Sequence, residues 1–142
     1  MIREHIKVLT HKECNTLLKK HQDIVNSRLK FNNYDVNEDD PSVQKIHKVI
    51  NENYCKGNFA VGILMARGEV EEHTDIDSWV SHTCYIIPIK LPKTKPFLKQ
   101  GEQLKQLKLG ILYSFNQTQY HSLIFDYETN AQTIYICANK IL

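Results

Sequence analysis

The sequence predicts an α+β domain, with helices laid on one side of an antiparallel sheet system. Helical periodicity dominates residues 10–56, whereas short apolar runs broken by Gly, Pro, Asn and Asp dominate residues 59–140. At 142 residues the chain closes one sizeable core and not two, so both blocks belong to a single domain, 1–142. With 42% apolar and 24% charged residues it has the composition of a globular protein rather than a disordered tail or a collagen-like repeat.

The first element is a short strand at Ile6-Lys7-Val8-Leu9. Thr10-His11-Lys12-Glu13 follows as a capping box, in which the Thr10 hydroxyl accepts from the Glu13 backbone and the Glu13 carboxylate reaches back. A helix starts there, and Cys14, Leu17, Leu18, His21, Ile24 and Val25 recur at three- and four-residue steps to give it one apolar stripe. Residues 31–40, FNNYDVNEDD, are rich in turn formers and read as a loop. Asp40-Pro41 is a cap followed by a first-turn proline, and Val43, Ile46, His47, Ile50 and Tyr54 carry a second helix to near Gly57. Strands are expected at about 59–66, 69–75, 81–91, 108–116, 119–126 and 132–138.

No run approaches the roughly 18 apolar residues of a membrane span. The opening MIREHIKVLTHKEC has too many charges for a signal peptide, so a cytoplasmic location is expected. The four cysteines, Cys14, Cys55, Cys84 and Cys137, fit neither a zinc-finger spacing nor a redox pair and read as reduced thiols acting as small hydrophobes. A net charge of +2 does not by itself argue for nucleic acid. The one biased stretch, Lys90 to Lys108, reads as a solvated loop, with a nucleic-acid partner as the less favoured alternative.

Chemistry concentrates in EEHTDIDSW at 71–79. On a strand over 69–75, residues two apart share a face, so His73 and Asp75 present one nitrogen and one oxygen to the same space. The third donor must come from another strand, and His121 opens the apolar run that follows a polar turn. Two histidines and one carboxylate leave three positions open on an octahedral ion, the arrangement suited to non-haem Fe(II). A solvated acidic turn beside an ordinary half-buried histidine is the alternative reading.

A resemblance to a known family is spread over most of the chain. IKVLTHKECNTLL at 6–18 resembles the strand and capped helix that open many Fe(II)- and 2-oxoglutarate-dependent dioxygenases. ILMARGEVEEHTDID at 63–77 is similar to their strand, glycine turn and His-x-Asp phrase, with Gly68 at the turn. HTCYIIPIKL at 82–91 looks like the buried strand that follows, and LGILYSFNQTQYHSL at 109–123 resembles the strand, turn and distal histidine. The layout is most similar to the prolyl-hydroxylase-like branch, with the aspartyl/asparaginyl hydroxylases as another relative. The resemblance implies a double-stranded β-helix, or jelly-roll barrel, over about 59–140, with two supporting N-terminal helices over about 10–56. It also implies His73, Asp75 and His121 as iron ligands, 2-oxoglutarate as cosubstrate and hydroxylation of a protein side chain or a small molecule.

One feature of that family is not matched. Its members hold the far carboxylate of 2-oxoglutarate with an arginine or lysine, often on the last strand, where this chain has Gln132 and Thr133. Arg67, before the His-x-Asp strand, reads as a turn residue. The resemblance implies Lys90 as the substitute, since some branches of the superfamily use a lysine from the strand after the His-x-Asp phrase, and alternation puts it with His82, Cys84 and Ile86; Tyr85 and Thr133 are further expected contacts, and Tyr113 and Tyr135 carry hydroxyls that could add a hydrogen bond. Three readings follow: an Fe(II)- and 2-oxoglutarate-dependent hydroxylase, a jelly-roll binding or structural module that has lost 2-oxoglutarate, and a cupin-like metal enzyme that needs no cosubstrate.

Overall fold

The computed structural model describes residues 1–127 and 129–142. The helical half contains β1 (Arg3–Lys7), α1 (His11–Lys20), a single-turn α2 (Gln22–Val25), β2 (Phe31–Asp35) and α3 (Pro41–Asn53). The second half runs through β3 (Phe59–Arg67), β4 (Val70–His73), β5 (Val80–Lys90), β6 (Phe97–Gln100), β7 (Gln103–Gln106), β8 (Ile111–Asn116), β9 (His121–Ile124) and β10 (Gln132–Ile141).

The capping box forms as the sequence requires: Glu13 N donates to Thr10 Oγ1 at 3.1 Å and Thr10 N to Glu13 Oε1 at 3.0 Å. The helix expected to continue to Val25 breaks at His21, whose φ of −125° and ψ of 48° end α1 before α2 restarts. At the next helix Asp40 Oδ1 accepts from Ser42 N at 2.9 Å, and Pro41 occupies the first turn, where its missing N–H costs nothing.

The strands form two antiparallel sheets of a jelly-roll-like fold. The larger has the order β1-β8-β5-β10-β3-β2 and the smaller β4-β9-β6-β7. Alternation along the strands of the larger sheet builds two cores. Ile63, Met65, Ile87, Ile134 and Ile136 point outward and bury Cys14, Leu17, Ile24, Ile46 and Ile50 of the helices. Cys84, Ile86, Tyr113 and Phe115 point inward and meet Leu98, Leu107 and Leu123 from the smaller sheet's side.

Several expectations are corrected. The first strand lies at Arg3–Lys7 rather than 6–9; Val8 and Leu9 instead donate to Gly110 O. Phe31–Asp35 is a strand and not a loop, because β3 supplies its backbone partners from Gly62 to Ala66. The Lys90–Lys108 stretch is largely the β6–β7 hairpin, closed by Gly101 at a φ of +59°. Lys105 pairs across from Leu98, Lys99 lies on the other side of the hairpin, and Lys108 meets Glu4 at 3.4 Å. Nothing in this arrangement supports a nucleic-acid partner. The turn between β3 and β4 needs Gly68: its φ is +70°, and a Cβ there would lie 2.4 Å from Thr129 O. Among the described residues no helix is long and apolar enough to cross a membrane.

Asp40 also pairs with Lys20 Nζ at 2.7 Å. Burial pushes its carboxyl up, but the Lys20 ammonium and the Ser42 N–H outweigh this and hold it below the usual range. Asp40→Ala is expected to cost about 1–2 kcal/mol of stability at neutral pH. Because the folded carboxyl titrates low, this contribution is present above the ordinary aspartate pKa and lost as pH falls through the folded value. Denaturant unfolding should therefore separate the variant from wild type at pH 7 and bring the two together only as pH falls below the ordinary aspartate pKa.

Candidate metal centre

His73 ends β4 and His121 begins β9, and the two are direct cross-strand partners. Such partners carry their side chains on the same face and close together; here the ring centroids are 4.4 Å apart. Asp75 lies two residues beyond the end of β4, so the expected strand over 69–75 is shorter than its motif. A backbone bond from Asp75 N to Gln117 O, 2.8 Å, takes over the work of the strand and delivers the carboxylate between the rings. One donor atom from each of His73, Asp75 and His121 lies within 4.8 Å of the others.

Hydrogen bonds on the far side of each ring decide which nitrogen faces inward. His73 Nδ1 lies 2.7 Å from Glu71 O and His121 Nδ1 lies 2.8 Å from Gln119 O, the same two-residue reach back in both cases. A carbonyl only accepts, so each Nδ1 carries a proton, and each Nε2 of a neutral ring is left with a lone pair. Those Nε2 atoms approach Asp75 Oδ2 at 3.3 Å from His73 and 3.0 Å from His121. Two lone pairs and a carboxylate oxygen in one space repel unless protons or a metal ion stand between them. The backbone carbonyls are the outer partners that orient metal-ligating imidazoles.

His121 is buried, with Phe115 packed against it at a centroid distance of 4.8 Å, while the side chains of His73 and Asp75 are 39% and 51% exposed. The centre therefore has one protected ligand and an open side. When protons rather than a metal ion stand in that space, both nitrogens of each ring are protonated, and the hydrogen bond from His121 Nε2 then holds the Asp75 carboxyl below the usual range against burial, with the imidazolium charges adding to it. Glu69 is used elsewhere, accepting from Phe125 N at 2.9 Å.

The triad opens onto a cavity of about 470 Å³ cut into the core between the sheets. Ile86, Leu98, Leu107 and Leu123 line its interior, and Trp79 and Phe31 stand at its exposed margin. Cys84 and Cys137 face one another there with Sγ atoms 3.2 Å apart; the Cys137 contact and burial push the Cys84 thiol well up, keeping it protonated. Sequence reasoning passed over these two as inert. Strand alternation was the available signal, because it sets Cys84 beside Ile86 and Cys137 beside Tyr135 on the inward face.

The three expected cosubstrate contacts are not brought together with the triad. Tyr85 faces the helices, against Tyr54 and Phe59 at centroid distances of 6.4 and 6.1 Å, because it alternates with Cys84 and Ile86. Lys90 is turned by a β-bulge: β10 pairs Tyr135 with Pro88 and Ile134 with Lys90, so Ile89 is the extra residue. Past the bulge Lys90 follows Ile134 to the helix side, where Nζ donates to Gln132 Oε1 at 2.7 Å while Gln132 Nε2 donates to the Ile24 and Val25 carbonyls. Burial, with the nearby Arg67, lowers its pKa. Thr133 is fully buried, its Oγ1 without a hydrogen-bond partner, and it does not line the cavity. Arg67 donates to Ser27 O at 2.6 Å, and Tyr113 is tied to Lys108 N and Gln106 O. Of the tyrosines considered, Tyr135 alone lines the cavity, and burial pushes its phenol up.

No protein-family profile and no curated protein matches the sequence. Solved structures do match in fold. The viral collagen prolyl hydroxylase of Paramecium bursaria Chlorella virus-1, determined as its 2OG complex, superposes with a TM-score of 0.71 at 11% sequence identity, over 99% of this chain and 95% of that one. A prolyl-4-hydroxylase from Pseudomonas putida superposes with a TM-score of 0.65 at 9% identity, over 99% of this chain and 91% of the other. The jelly-roll-like fold is shared with these two prolyl hydroxylases, in line with the resemblance carried by the sequence motifs.

Asp75→Ala and His121→Ala should abolish binding of Fe(II) or Mn(II) in calorimetric titrations, whereas Asp77→Ala, which removes a carboxylate outside the triad, should leave it unchanged. Metal loss in Asp77→Ala would show that the wrong carboxylate is assigned. Lys90→Met should lower stability by about 1 kcal/mol through its lost bond to Gln132, with metal content as in wild type; reduced metal content would place Lys90 at the centre after all.

Proposed function

We propose that this chain is an Fe(II)-dependent oxygenase of the prolyl-hydroxylase fold, with His73, Asp75 and His121 as the iron ligands. The two sheets are read as a double-stranded β-helix whose mouth carries the metal. The observation that carries the proposal is the convergence of two Nε2 lone pairs and the Asp75 carboxylate, each ring committed through Nδ1 to a backbone carbonyl. This donor set, two imidazoles and one carboxylate with no sulfur, suits ferrous iron and leaves an open face. Bound there, Fe(II) would supply activation of dioxygen.

The chain's own residues set the conditions for that chemistry. Glu71 O and Gln119 O hold the tautomers, Phe115 fixes the His121 ring, and the Asp75–Gln117 backbone bond positions the carboxylate. The apolar interior would limit the access of water to a bound metal from that side. 2-Oxoglutarate itself fits this cavity poorly. Among the described residues no lysine or arginine lines it, so the far carboxylate would lack a counter-charge. A peptide side chain is the substrate proposed, on the strength of the prolyl hydroxylation for which the structural neighbours are named. The missing cation also favours a second reading, a metal-bearing or purely structural module without oxygen chemistry.

Nitric oxide, a dioxygen surrogate, tests whether bound iron offers the open position that oxygen chemistry requires. Added anaerobically to Fe(II)-loaded protein it should give a high-spin iron–nitrosyl signal by electron paramagnetic resonance, and none in His121→Ala. Iron-loaded wild type that gives no nitrosyl signal would leave only the non-catalytic module.

A further inference from the structure

Resting on the iron reading above, we infer that the cavity takes a 2-oxo monocarboxylic acid with an uncharged, apolar tail and discriminates against 2-oxoglutarate. The interior walls are Ile86, Leu98, Leu107 and Leu123 with the facing thiols of Cys84 and Cys137, and its volume of about 470 Å³ suits a small acid. The acidic side chains that line it, Asp35, Asp75 and Asp77, have the wrong sign for a second carboxylate.

The cations placed nearest by the strands that bound the cavity are committed or misdirected. The bulge at Ile89 sends Lys90 to Gln132 on the helix side, and Arg67 is spent on Ser27 O. Lys105 pairs across from Leu98 and so shares its face of the hairpin, yet it does not line the cavity. Thr133, on the last strand, is neutral and fully buried. The phenol of Tyr135, kept protonated by burial, offers a hydrogen bond but no charge. A second carboxylate would therefore lose its hydration against apolar walls with no ion pair in return, whereas a branched hydrocarbon tail gains by the same burial.

The test compares two acids of one shape. In 5-methyl-2-oxohexanoate two methyl groups stand where 2-oxoglutarate has its two distal carboxylate oxygens. Both are titrated anaerobically into Fe(II)-loaded protein, read by calorimetry and by the metal-to-ligand charge-transfer band. The branched acid is expected to bind at least about tenfold more tightly. Equal or tighter binding of 2-oxoglutarate overturns the inference, and its loss in Lys105→Met or Lys90→Met would identify the overlooked cation. If iron binds and neither acid does, the inference falls while the metal centre stands. If no iron binds, the oxygenase reading fails first and takes the inference with it.

Discussion

The pairing of β4 with β9 is the constraint on which the site depends. It sets His73 directly opposite His121, and the turn after β4 needs only one further backbone bond, Asp75 N to Gln117 O, to complete the triad. Both imidazoles reach back two residues to a carbonyl, so the strand backbone chooses the tautomer as well as the position. This arrangement has a cost while both rings are neutral and no ion is bound, because acceptor atoms then converge with nothing to separate them. A geometry that a cation relieves is a physical argument for a metal that does not depend on likeness to any other protein.

The larger sheet serves two cores at once, and this explains why the site is open yet its interior apolar. Helices α1 and α3 cover the outward residues, which frees the inward residues of β5, β8 and β10 to line a cavity. A single extra residue, Ile89, then separates Lys90 from the face that strict alternation gave it. The same bulge removes a cation from the cavity and spends it on joining β10 to α2 through Gln132. Folding and ligand choice are thus linked at one position: a straight β5 would have kept Lys90 on the inward face.

The legible parts of the sequence were those with strong local signals. Thr10-x-x-Glu13 and Asp40-Pro41 announced both main helices, and the apolar runs gave β3, β5, β8 and β10. His73, Asp75 and His121 were readable because a two-residue spacing and a distal histidine survive without knowledge of pairing. β2 was hidden because FNNYD is polar and gains its strand character from β3 alone. β6 and β7 were hidden because lysines alternating with Leu98 and Leu104 look like a solvated loop until the Gly101 turn pairs them. Lys90 and Tyr85 were misplaced for complementary reasons: a bulge is invisible to a period of two, and the period of two was not applied to Tyr85.

The most direct measurement is iron K-edge X-ray absorption on the Fe(II)-loaded protein, because it reads the ligands themselves. The account predicts a first shell of nitrogen and oxygen only, with the outer-shell scattering of two imidazoles. Sulfur in the first shell would instead put the metal on Cys84 and Cys137 and contradict the assignment of the triad.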